Sequence, residues 1–192
     1  MNQKQRHLDF KKEHLPNLRQ PKRATVLKRA MRDGFMTFIL SCALSLGAVG
    51  CAQAIEVGQS LALGQIKKLD GSVFELTKDN NKNTLVQIWA SWCPFCRRQN
   101  GYLQNFIQRI PEGSINILTL SVDKEPDIAQ KYMTDSRYSF AAAMMTPELR
   151  TALGRLRGIP VLLILDPKGK VIHKEVGEVF EEDFADLVMY TK

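Results

Sequence analysis

Two cysteines three residues apart, Cys93 and Cys96, are the side chains of this 192-residue chain best suited to chemistry. They enclose Pro94 and Phe95 and follow Trp92. An apolar run, Thr84-Leu85-Val86-Gln87-Ile88-Trp89-Ala90, precedes them, and a helical pattern from Arg97 to Arg109 follows. A Cys-x-x-Cys at a strand-to-helix junction is the layout of a dithiol that cycles with its disulfide. The unpaired N–H groups and the positive dipole end of a helix N-terminus favour thiolate over thiol. The thiolate is the species that attacks a disulfide. On this reading Cys93, at the helix start, is the exposed nucleophile, and Cys96, one turn in, is the more buried resolving thiol.

Other uses of the pair are weaker. A structural zinc site needs four ligands, and the remaining cysteines, Cys42 and Cys51, lie in a hydrophobic leader. His7, His14 and His173 have no ligand spacing to the pair, so no metal and no cofactor is expected beyond the redox-active cysteines. A purely structural disulfide closing so short a loop would remove little chain entropy. Thiolates also suit Cu(I), so a copper-carrying binding module remains open.

Charge divides the chain. Residues 1–34 hold ten Lys/Arg and three Asp/Glu, a net of +7; the rest holds 27 − 10 = 17 basic and 20 − 3 = 17 acidic residues, a net of zero. The basicity belongs to the leader, and nothing in the body argues for a nucleic-acid partner. Residues 1–34 read as a disordered basic leader. Residues 35–54 carry no charge and form an apolar core of signal-peptide length, ending in Ala52-Gln53-Ala54, which fits small-x-small cleavage. Cleavage after Ala54 would leave a domain of residues 55–192. An uncleaved membrane anchor through residues 35–54 is the first alternative. A lipid at Cys51 is the second, because Ala48-Val49-Gly50-Cys51 resembles a lipobox without its usual leucine. Met31 is an alternative start. Each route places the body outside the cytoplasm, in a periplasmic or extracytoplasmic compartment that tolerates disulfide chemistry.

The body reads as alternating strands and helices. Glu56 to Leu63 is a lead-in. Ile66–Leu69 and Ser72–Leu76 flank Asp70-Gly71, a strong hairpin signal. Strands follow at Leu85–Ala90, Ile115–Val122, Tyr138–Met144, Val161–Leu165 and, with edge-like alternation, Lys170–Val176. Helices are expected at Pro126–Asp135, Pro147–Leu153 and Glu181–Tyr190, the last burying Phe184, Leu187 and Val188. Pro160 enters a central strand, where it cannot donate to the ladder; a cis peptide before it would resolve that conflict.

Taken together, Trp89-Ala90-Ser91-Trp92-Cys93-Pro94-Phe95-Cys96-Arg97 resembles the thioredoxin signature, and Arg157-Gly158-Ile159-Pro160 resembles the thioredoxin cis-proline loop. The chain is most similar to the extracytoplasmic TlpA/ResA/CcmG branch. Its hairpin precedes the core, and roughly 35 residues separate Val122 from the cis-proline loop. The resemblance implies an α/β thioredoxin-like fold. A central mixed sheet flanked by helices would carry an N-terminal β-hairpin extension and a βα insert before the cis-proline. It implies a thiol–disulfide oxidoreductase with Cys93 and Cys96 as catalytic residues. Trp92, Pro94, Phe95, Ile159 and Pro160 would form the client-binding surface, and Pro160 would keep metal off the thiols. Peroxiredoxins would want Pro-x-x-x-Thr-x-x-Cys, which neither cysteine has. The implied partners are client proteins with disulfides or thiols and a membrane electron donor. The implied role is reduction of clients in cytochrome c or metal-site maturation; a disulfide-forming oxidant is the alternative. Gln87 and Gln99 stand where relatives carry carboxylates thought to deprotonate the second cysteine. Solvated surface is the expectation for Arg98, and an exposed strand position for His173.

Overall fold

A computed structural model of the chain describes residues 53–76 and 81–191. The leader expected at 1–34, and the signal or anchor expected at 35–54 apart from Gln53 and Ala54, lie outside the described residues.

The sheet is organised around β3 (Thr84–Trp89), whose six residues are all buried. Its branched and aromatic side chains suit a strand covered on both faces. β4 (Asn116–Ser121) pairs with it in parallel, and β6 (Val161–Leu165) pairs with it antiparallel. β5 (Ala142–Met144) extends the sheet beside β4, and β7 (Val171–Val176) extends it beside β6. The order β5-β4-β3-β6-β7 makes a five-stranded mixed sheet with β7 at one edge, as its alternation predicts. β1 (Gln65–Lys67) and β2 (Val73–Glu75) form the separate hairpin. Asp70 closes its turn by accepting from the Ser72 N–H at 2.9 Å and the Ser72 hydroxyl at 2.6 Å.

Alternation along β3 divides two cores. Leu85 and Trp89 face α1 (Pro94–Arg109), α2 (Pro126–Asp135) and α4 (Glu181–Asp186), whose Leu103, Phe106, Ala129, Met133 and Phe184 complete one layer. Val86 and Ile88 face the other layer, built from Leu149 and Leu153 of α3 (Pro147–Leu153) and from Ile55, Leu61 and Leu63 of the lead-in. The lead-in is therefore structural. Ile55 donates its N–H to Leu153 O at 2.8 Å, and Leu61 donates to Gly169 O at 2.8 Å.

Two expected elements are corrected, and the expected insert is found. The strand expected over Tyr138–Met144 is confined to Ala142–Met144. Its first residues cross from α2 to the sheet edge, held by Ser139 N–H donating to Gln104 Oε1 at 2.9 Å and by stacking of Tyr138 on Phe140. The helix expected over Glu181–Tyr190 ends at Asp186 and continues as a 3₁₀ turn, Leu187–Tyr190. That tighter winding leaves Val188 exposed, while Phe184 and Leu187 are buried as expected. The βα insert is β5 with α3, and α3 starts where Thr146 Oγ1 accepts the Leu149 N–H at 3.2 Å.

Candidate active site

The end of β3 delivers Cys93 to the N-cap of α1. Pro94 occupies the first turn, where its missing N–H leaves no bond unmade. Cys93 and Cys96 are disulfide-bonded, with Cα atoms 5.2 Å apart, within the range such a bond requires. The Cys96 N–H points at Cys93 Sγ from 3.2 Å. An orphan helix donor is thus already aimed at the sulfur that carries negative charge when the bond opens. No acidic residue lies in the first turn to oppose that charge.

The expectation of an exposed Cys93 is corrected: Cys93 is 3% exposed and Cys96 is 0% exposed. The cis-proline loop covers Cys93. The Ile159–Pro160 peptide is cis, and Ile159 O lies 3.8 Å from Cys93 Sγ. A disulfide sulfur carries no proton, so this is packing contact. Once reduced, the Cys93 thiol faces that carbonyl as an acceptor. Pro160 is buried and Ile159 half-buried. Pro160 O accepts from the Gly177 N–H at 2.9 Å, tying the loop to the segment after β7.

Trp92 and Phe95 flank the disulfide and are 68% and 52% exposed. For Trp92 this rules out the core-packing role in which tryptophan is usually found. Arg98 is exposed, as expected for solvated surface, and is also paired. It forms a bidentate pair with Glu178, Nε to Oε1 at 2.6 Å, and lies over the Phe95 ring at 5.1 Å from its centroid. The hydrogen bonds it donates to Glu178 hold the Arg98 guanidinium above its already high ordinary range. The Glu178 side chain is nearly covered at 7% exposure. His173 is half-buried on β7, packing on Tyr190 at 5.5 Å between ring centroids.

Gln87 and Gln99 meet beneath the motif, both wholly buried. The Val179 N–H donates to Gln99 Oε1 at 2.7 Å, and Gln99 Nε2 donates to Gln87 Oε1 at 3.0 Å. Gln87 Nε2 donates to Asn100 Oδ1, and Asn100 Nδ2 donates to the Tyr132 hydroxyl at 3.3 Å. These donors all point one way, so each bond polarises the next. An amide neither ionises nor takes a proton, so Gln87, Gln99 and Asn100 add no titrating group beside the cysteines. Nearby, burial pushes the Tyr138 hydroxyl well above its ordinary value.

Asp123 belongs to the site and was not singled out from the sequence. It is buried just past the end of β4 and accepts from Ser91 and Ser121. The available signal was its place after a parallel strand beside the motif strand, the end of an α/β sheet where sites form. Among the described residues, no group of three or more His, Cys, Asp or Glu could hold a metal ion.

The chain matches the family model described as Redoxin over residues 56–188. It is 23% identical over 131 residues to the thiol-disulfide oxidoreductase ResA of Bacillus thuringiensis (strain Al Hakam), covering 68% of this chain and 75% of that protein. It is 26% identical over 136 residues to a thiol:disulfide interchange protein DsbE homolog of Paracoccus denitrificans (strain Pd 1222), covering 70% of each. Among solved structures, a thioredoxin-family thiol:disulfide interchange protein from Chlorobium tepidum TLS has a TM-score of 0.62 at 23% identity. It covers 72% of this chain and 99% of that one, a likeness of fold.

Proposed function

We propose, from the premise that the chain belongs to the Redoxin family and is a thiol–disulfide oxidoreductase, that it reduces disulfides in extracytoplasmic client proteins. In the reduced protein, the Cys93 thiolate attacks a client disulfide. A Cys93–client bond forms, the client S–S bond breaks, and the first client thiolate leaves and takes a proton. The Cys96 thiolate then attacks Cys93 sulfur, which restores the Cys93–Cys96 disulfide and frees the second client thiolate. The client gains two electrons, and a dithiol electron donor at the membrane returns them to the pair. Trp92, Phe95 and the backbone edge at Ile159–Pro160 receive the client segment, Ile159 by strand-like pairing.

The observation that supports reduction over oxidation is the charge balance around Cys93. Strong oxidants of this kind owe their potential to an unusually stabilised thiolate. Here Arg98 is tied to Glu178, and the charge of Arg97, which donates to Ser91 O at 2.8 Å, is opposed across Ser91 by the buried Asp123 carboxylate. The helix N–H of Cys96 is then the direct support for the thiolate. A pair with that modest support is a reductant.

Clients in assembly of cytochrome c or metal sites fit this reading, as does delivery to the extracytoplasmic side by residues 35–54, through a cleaved signal, an anchor or a lipid at Cys51. N-terminal mass analysis of the protein from membrane and soluble fractions distinguishes these routes. The direct test of the chemistry is trapping. Reduced Cys96→Ser protein mixed with oxidised periplasmic extract should accumulate mixed disulfides through Cys93, and Cys93→Ser protein should not. Equal trapping by both variants would overturn the assignment of roles.

A further inference from the structure

Ser91 joins the strand to the redox motif, and two opposite charges grip it from two sides. The Asp123 carboxylate accepts from the Ser91 N–H at 3.1 Å and from the Ser91 hydroxyl at 2.9 Å, and takes the Ser121 hydroxyl at 2.8 Å. On the far side, Arg97 Nε donates to Ser91 O at 2.8 Å, while its guanidinium lies 5.7 Å from the Tyr132 ring centroid. The arrangement is an ion pair split by one residue: carboxylate, Ser91 N–H, Ser91 C=O, guanidinium. Asp123 is 6% exposed, so its field is little screened by water. Cys93 lies two residues beyond Ser91, and Arg97 lies one residue beyond Cys96.

We propose that Asp123 and Arg97 are positioning residues of the redox pair. Acting through Ser91, they fix Cys93 at the N-cap and set the reactivity of its thiolate with opposite signs, Asp123 opposing the thiolate and Arg97 supporting it. A single charge about 10 Å away, at an effective dielectric between that of a protein surface and that of water, is enough for about a threefold to tenfold change in thiolate population. Of the other charged groups, Arg98 of α1 pairs with Glu178 from the segment after β7, Lys124 follows Asp123 in the chain, and Arg157 precedes the cis-proline loop. All four stay unchanged in the test variants.

The signs separate this role from a merely structural one. Cutting either tie loosens the same residue, so looseness alone would move Cys93 reactivity in one direction for both. The experiment uses the reduced full-length protein, with iodoacetamide labelling followed from about pH 5 to about pH 9, across the range of perturbed thiols, and the labelled cysteine identified by peptide mass. Asp123→Asn should make Cys93 react about threefold to tenfold faster at the acid end, with its profile moved to lower pH. Arg97→Gln should slow it by a similar factor, with its profile moved to higher pH. Arg97 is exposed, so Arg97→Gln keeps the proposal testable even if Asp123→Asn does not fold; an unmoved Arg97→Gln profile overturns it. Shifts of the same sign with label on Cys93 overturn the proposal alone. Label going first to Cys96 overturns the assignment of Cys93 as attacking thiol, and this proposal with it.

Discussion

Gln99 Nε2 donates to Gln87 Oε1 at 3.0 Å, and neither side chain is reached by solvent. The pair joins the helix that carries the cysteines to the central strand. Through Val179 it also reaches the segment tied to the cis-proline loop. Gln87→Ala would leave Gln99 Nε2 and Asn100 Oδ1 without their present partners. It should cost about 2–4 kcal/mol of stability, the sum of unmet buried groups and a small cavity. Urea unfolding of the oxidised protein measures it, and a loss below about 0.5 kcal/mol, the level of an ordinary surface change, would contradict the buried ladder.

Gln99→Glu puts a carboxyl group in the same buried place, and burial raises its pKa above the ordinary value of about 4.3. The native state then binds more protons than the unfolded chain between those two values. Stability should therefore fall as pH rises from about 4.3 through the raised native value and level off above it. The parent protein should lack that fall. Matching stability–pH curves for the two proteins would mean that position 99 is reached by water.

Arg98→Ala should destabilise more than Glu178→Ala. The first leaves a nearly covered carboxylate without its cation, whereas the second leaves a guanidinium that is half exposed and readily hydrated. Thermal unfolding of the two variants gives the order directly, and the reverse order would contradict the burial of Glu178.

Much of this architecture is legible in local sequence, and the parts that are not share a cause. Pro126–Asp135, Pro147–Leu153 and Val161–Leu165 begin and end where their prolines and apolar runs place them. The cis peptide follows from a proline at the mouth of a central strand. The pairs that escape a sequence reading are made by residues far apart in the chain. Asp123 meets Ser91 only through the parallel register of β3 and β4, and Glu178 meets Arg98 only once β7 has closed the sheet edge. Burial of Cys93 likewise depends on the loop at Ile159 docking over it. Motif spacing reveals which atoms react, whereas tertiary register decides which charges surround them.

Gly154 ends α3 at φ 67°, and a Cβ there would lie 1.9 Å from Gln53 O. Gly154→Ala in a chain that retains Gln53 should cost more than about 2 kcal/mol, beyond the left-handed backbone penalty alone. A form beginning at Ile55 lacks that oxygen and should lose only the backbone part. Equal losses in the two forms, compared by urea midpoint, would contradict docking of residues 53–55 against α3.

Trp92→Ala and Phe95→Ala should leave stability within about 0.5 kcal/mol, because both rings are largely in solvent. Their effect should appear with protein clients, as a higher KM. Reaction with a small aromatic disulfide should change little. An equal loss with both substrates would assign the rings to the chemistry of the pair and remove them from client recognition.

The reduction potential of Cys93–Cys96 tests the central claim most directly, measured on the purified full-length protein equilibrated against dithiothreitol and glutathione buffers. The partnered cations and the single N–H at Cys93 predict a value near the thioredoxin end of the range, about −270 mV. A value near the oxidant end, about −120 mV, would contradict reduction of clients. It would make the protein a source of disulfides acting through the same two sulfurs.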